Sequence, residues 1–126
     1  MKIVWEKTRV RSWLTKVFGK ASLKDVEERS LRFGEEALEL IQSLGVTQHQ
    51  AEALVKQVFT KPPGEPRQEL GGTLVTLASL CVVAGLEAED AYRAEFMRCE
   101  RPEIMEKIRQ KHATKAVVSS TYVNRA

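Results

Sequence analysis

The chain has 126 residues, 43% hydrophobic and 29% charged, with a formal net charge of +3 at pH 7. We expect one domain over residues 1–126 with a modest core, because a chain of this length seldom divides further. The charge is too small to indicate a nucleic-acid-binding protein by itself. The two cysteines, Cys81 and Cys99, argue against a disulfide framework and favour a reducing compartment.

We expect neither a signal peptide nor a membrane span. Residues 1–11 are charged throughout, and the longest apolar run, residues 74–86, is too short to cross a bilayer. We therefore expect a cytoplasmic protein.

The pattern of apolar residues predicts an all-α fold. Aromatic residues make up only 6% of the chain, and β-branched residues rarely alternate with polar ones, which argues against sheets. Residues 1–20 form a basic arm with interleaved aromatics, in which residues 11–18 predict a short amphipathic helix ended by Gly19. Such an arm would either bind nucleic acid, or pack on a neighbour or line a pocket edge. We favour packing or lining a pocket edge over binding of nucleic acid.

Residues 22–115 are expected to form the helical core. Ser22, with Asp25 three residues on, predicts the start of a long helix that Gly45 ends. Thr47, with Gln50, predicts the start of a second helix reaching Phe59.

A third helix is predicted to begin near Pro66 and end at Gly85. It is apolar nearly all round, which is typical of the central helix of a bundle or of a helix shared with another subunit. Gly71 and Gly72 inside it each cost about 1 kcal/mol relative to Ala, which suggests close approach by another helix or a ligand. The last helices are predicted over residues 87–100 and 102–114. The tail, residues 116–126, would be disordered or reach a neighbouring subunit.

Two acidic pairs predict a metal site. Glu36 and Glu39 lie one helical turn apart, and Glu65 and Glu69 also share a helix face. If the two helices pack antiparallel, these carboxylates could meet, and Mg²⁺ and Mn²⁺ prefer carboxylate oxygens. The alternative is that both are solvated helix faces. Arg32, four residues before Glu36, would hold a carboxylate or bind phosphate, or form a plain surface ion pair.

These motifs resemble a known family. Glu35-Glu36-Ala37-Leu38-Glu39 is similar to the EExxE motif of the MazG-like all-α nucleoside triphosphate pyrophosphohydrolases, and residues 69–72 stand where that family carries ExxD. The resemblance extends over residues 23–115 and is greatest to a phage and bacterial branch acting on dGTP or dATP. It implies a MazG-like helical bundle completed by oligomerisation as a dimer or tetramer. It also implies hydrolysis of a purine deoxynucleoside triphosphate to the monophosphate and pyrophosphate.

The resemblance further implies roles for single residues. Mg²⁺ or Mn²⁺ would be held by Glu36, Glu39 and Glu69, and Glu35 or Glu36 would activate water. Substrate contacts would come from the cations and aromatics Arg32, Lys107, Arg109, Lys111, Trp13, Trp5 and Phe33.

One departure is that Gly72 replaces the ExxD aspartate, so Glu65 would take its role or waters would complete the metal shell. Two other classes of function remain open. One is a non-catalytic helical assembly protein with a degenerate metal site. The other is a nucleic-acid-binding module, against which the acidic clusters argue, so we expect no nucleic-acid partner and no membrane.

Overall fold

The computed structural model describes the backbone of residues 6–125 and the side chains of residues 6–115. The described residues are helical and contain no strand, which confirms the all-α prediction. The helices are α1 (Lys7–Phe18), α2 (Val26–Ser43), α3 (Gln48–Phe59), α4 (Pro66–Ala84), α5 (Ala88–Cys99) and α6 (Pro102–Arg125), with a 3₁₀ turn, Lys20–Lys24, between α1 and α2. Among the described helices, no single one is long and apolar enough to cross a membrane.

Several helix ends follow the predicted signals. The Thr47 side chain accepts a hydrogen bond from the Gln50 backbone N–H, and the Gln50 side chain accepts one from the Thr47 N–H, which completes a capping box. Pro66 occupies the first turn of α4, where its missing N–H is not needed. Gly85 ends α4 in the left-handed conformation, with φ +69°.

The predicted start of the long helix, at Ser22, is wrong, because α2 begins at Val26. The Ser22 hydroxyl donates back to the Gly19 carbonyl at 2.7 Å, because the chain first makes the 3₁₀ turn. Gly19 permits this exit from α1 through a positive φ of 88°. Asp25 takes the capping role instead, since its Oδ1 accepts from the Glu28 N–H at 3.1 Å.

The last helix is longer than predicted. Its backbone is helical from Pro102 to Arg125 rather than ending near residue 114. The side chains of residues 116–126 lie outside the described part of the chain.

The chain divides into two compact units. The terminal unit comprises the described residues up to Ser30 and from Glu87 onward, and the middle unit comprises Leu31–Leu86. In the terminal unit, α1 packs against the 3₁₀ turn and α6, and α5 packs against α6. The Trp13 indole N–H donates to the Cys99 carbonyl at 2.8 Å, and Arg9 pairs with Glu100. The basic helix α1 is therefore tied into its unit, in agreement with the packing interpretation of the arm.

A buried polar cluster joins three elements of the terminal unit. Glu28, at the start of α2, is 7% exposed, and its Oε1 lies 3.3 Å from His112 Nδ1 on α6. The His112 ring centroid is 4.7 Å from that of Phe18, the last residue of α1. The Arg29 guanidinium lies 4.2 Å from the Phe18 ring centroid. The cluster holds together the ends of helices that are far apart in sequence.

The middle unit leaves much apolar surface exposed. Phe59 on α3 is 83% exposed, and Val83 on α4 is 86% exposed. Among the described hydrophobic residues only Val17 and Cys81 are fully buried. Within this chain α4 is thus not the buried central helix of a bundle, although Cys81 on it is covered.

Candidate functional site

The carboxylates of the EExxE motif lie on α2 in the middle unit. The helix is continuous from Val26 to Ser43, so Glu36 and Glu39 project one turn apart from neighbouring positions on its surface. Both residues are exposed. The two oxygen-rich side chains are therefore accessible to a ligand from solvent.

Arg32 pairs with Glu35 on the same helix. The Arg32 Nη1 donates to Glu35 Oε2 at 2.6 Å, and both side chains are partly buried. The ion pair holds the Arg32 guanidinium beside Glu35, the first residue of the EExxE motif.

Glu65 caps the start of α4. Its two carboxylate oxygens each accept a backbone hydrogen bond at 2.9 Å, one from Arg67 and one from Gln68. These bonds lower the pKa of Glu65 below its ordinary value of 4.5, because they stabilise the ionised form. Glu65 thus stays ionised at neutral pH and caps the N-terminus of α4.

Glu69 folds against the turn that precedes its helix. A Cβ added at Gly64 would overlap Glu69 Oε1 and lie 3.1 Å from its Cδ. Gly64 therefore leaves the space that the Glu69 carboxylate uses. Gly72, by contrast, is open: a Cβ there would meet no atom within 4 Å, so the chain has room for the aspartate of the ExxD pattern. The close approach expected at Gly71 and Gly72 is likewise not made within the described chain.

The four carboxylates predicted to bind metal all lie in the middle unit, and carboxylate oxygens suit a hard divalent cation. Two lie on α2 (Glu36 and Glu39) and two at the start of α4 (Glu65 and Glu69). In the described part of the chain no three acidic, histidine or cysteine side chains come close enough together to hold one ion. The α2 pair would thus supply part of a coordination shell, and further ligands would have to be brought to it.

The residues predicted to contact phosphate lie on α6, in the terminal unit. Arg109 donates to the carbonyl oxygens of Lys16 and Val17, at 2.9 and 3.2 Å, and pairs with Glu106 at 3.0 Å. It therefore satisfies the last carbonyls of α1, a structural role that sequence spacing did not indicate. Lys107 and Lys111 are exposed.

The aromatic residues predicted to contact the base have different surroundings. Trp13 is half-buried, and its indole is fixed by the bond to Cys99 and by edge packing on Phe18 at 5.8 Å between centroids. Phe33 on α2 is 60% exposed. Trp5 lies outside the described residues.

Comparison of the chain with protein-family models, with curated proteins and with solved structures gave no match. The resemblance to MazG-like enzymes therefore rests on the motifs of the sequence.

Proposed function

We propose that the chain is a metal-dependent nucleoside triphosphate pyrophosphohydrolase. It would cleave between the α and β phosphorus atoms of a purine deoxynucleoside triphosphate, dGTP or dATP, giving the monophosphate and pyrophosphate. The observation that carries the proposal is the pair Glu36 and Glu39, exposed one turn apart on a single continuous helix. The similarity of residues 35–39 to EExxE adds the reaction class, and the purine preference rests on that similarity alone.

Glu36 and Glu39 would hold Mg²⁺ or Mn²⁺ together with Glu69 on α4. The ion would bind phosphate oxygens and offset the charge that develops during hydrolysis. Both oxygens of Glu65 already accept backbone hydrogen bonds, so Glu65 would bind the ion only through the lone pairs that the cap leaves unused.

Residues of α2 would also supply the general base and a phosphate contact. Glu35 or Glu36 would accept the proton of the attacking water. Glu35 also forms an ion pair with Arg32, whose guanidinium would face a phosphate oxygen.

We further propose that the active form is a homo-oligomer, a dimer or a tetramer. Exposed side chains of the middle unit support this: Leu54, Val55, Val58, Phe59, Leu70, Val75, Val82 and Val83 are each 49–86% exposed. Burial against a second copy would remove this surface from water and could bring further carboxylates to α2.

A second candidate function is a non-catalytic helical assembly protein. It is favoured by the same exposed surface and by the separation of the described carboxylates, since no three of them converge. In that case the acidic residues would form salt bridges between subunits.

One experiment separates the two functions. Pyrophosphate release is measured for eight ribo- and deoxynucleoside triphosphates with Mg²⁺ or Mn²⁺, using the wild-type protein and Glu39→Gln. Selective release that the substitution abolishes supports the enzyme. No release with either metal from a folded oligomer favours the assembly protein.

A further inference from the structure

The terminal unit contains a cavity that the proposed chemistry on α2 does not use. Its volume is about 810 Å³, and residues of α1, Glu100 and Met105 line it. This volume falls within the roughly 300–1,000 Å³ of small-molecule sites. A mononucleotide fits in such a space.

The wall of the cavity on α1 is a row of polar side chains. Thr8, Ser12 and Lys16 follow one another at intervals of four residues, so they lie on one side of the helix. All three are exposed. Two hydroxyls and one ammonium group in a row are donors for an anionic oxygen cluster such as a phosphate.

The charge around the cavity suits a single phosphate group. Arg9 is bonded to both Glu6 and Glu100; these bonds raise the pKa of Arg9 and lower that of Glu100. Its positive charge is therefore compensated by carboxylates. With Lys7 and Lys16, the lining carries three cations against the two carboxylates Glu6 and Glu100, a net charge of +1 that favours an anionic ligand.

The apolar part of the lining suits a nucleobase. Trp13 and Met105 line the same cavity, and the Trp13 ring is held in place by its bond to the Cys99 carbonyl. A fixed indole and a thioether offer a flat base a preorganised, polarisable surface.

We propose that this cavity binds a nucleoside monophosphate, with the base against Trp13 and Met105 and the phosphate against Lys16, Ser12 and Thr8. The site requires no metal. The monophosphate class is also the product of the proposed reaction, but binding here does not depend on that activity.

The test uses deoxyguanosine monophosphate in EDTA and a Trp5→Phe background, in which Trp13 is the remaining tryptophan. Equilibrium dialysis measures affinity and Trp13 fluorescence reports the place of binding. We expect saturable binding with a fluorescence change, and affinity about tenfold or more lower for deoxyguanosine or for Lys16→Gln combined with Ser12→Ala, since each removes charge-assisted hydrogen bonds. Lys20→Gln, which removes the same charge outside the lining, should leave affinity within about twofold.

Three results would overturn the proposal: no saturable binding by a folded protein, equal affinity for the nucleoside and its monophosphate, or binding that leaves Trp13 and the Lys16 variant unaffected. Glu39→Gln separates this inference from the proposed enzyme. It should abolish pyrophosphate release and leave monophosphate binding intact, so either claim can fail alone.

Discussion

Gly64→Ala moves one proposed ligand without altering the helix that carries it. The new Cβ would overlap Glu69 Oε1 and approach its Cγ to 3.3 Å. The Glu69 side chain is exposed and can turn away, at a rotamer cost of about 0.5–1.5 kcal/mol. Gly64 has no positive φ, so Ala should recover about 0.4–1 kcal/mol by restricting the unfolded chain. The net change in the free energy of unfolding is therefore within about 1 kcal/mol.

If Glu69 belongs to the metal shell, Gly64→Ala should raise the Mg²⁺ or Mn²⁺ concentration for half-maximal pyrophosphate release about tenfold or more, the scale seen when support for a ligand is lost. Gly34→Ala is the control, because its Cβ would meet no atom within 4 Å. Thermal unfolding is measured beside activity. An unchanged metal requirement, with Glu69 displaced in a structure of the variant, would remove Glu69 from the ligand set.

Three other changes test separate parts of the account. Gly72→Asp restores the missing carboxylate in open space, so the variant should fold and need less metal for half-maximal activity; an unchanged requirement would mean that position 72 is not part of the site. Val83→Asp should lower the oligomer mass in light scattering, because a charge buried between subunits is costly, whereas Gln57→Asp should not; an unchanged mass would place Val83 outside the interface. The lowered pKa of Glu65 contributes stability that is present above about pH 4.5 and lost as pH falls through the folded-state pKa. At pH 7, Glu65→Gln should therefore have a lower urea midpoint than the wild-type protein. At a pH well below the folded-state pKa of Glu65, the two midpoints should agree. An equal difference between the two proteins at both pH values would contradict the capping argument.

The sequence predicted local structure where one residue type controls a helix end. The Thr47 capping box and the end of α4 at Gly85 need only neighbours along the chain, so spacing was sufficient. Ser and Asp both favour the N-cap position; the prediction placed the cap at Ser22, and the structure places it at Asp25. The choice depended on the 3₁₀ turn after Gly19, which returns the Ser22 hydroxyl to a carbonyl behind it.

Contacts between distant residues could not be read from spacing. Glu28 is buried against His112, 84 positions away. Arg109 was a candidate phosphate ligand, and it instead binds the last carbonyls of α1. In both cases a charged side chain links the end of one helix to the interior of α6. No periodic pattern in the sequence marks such a contact.

The candidate site was predictable in its parts. Glu36, Glu39 and Glu69 follow from helix spacing and from the motif resemblance, and the structure places them on α2 and α4. Their meeting around one ion depends on how the helices associate, including association with another copy of the chain. The apolar surface of α3 and α4 indicates where that association would occur.

The most direct test of the proposed activity is pyrophosphate release from dGTP and dATP with Mn²⁺ or Mg²⁺, comparing the wild-type protein with Glu39→Gln. The account predicts metal-dependent release of pyrophosphate and the deoxynucleoside monophosphate, lost in the variant while its fold and oligomer mass are retained. Equal release by both proteins, or none by a folded wild-type oligomer with any of the eight nucleotides, would contradict it.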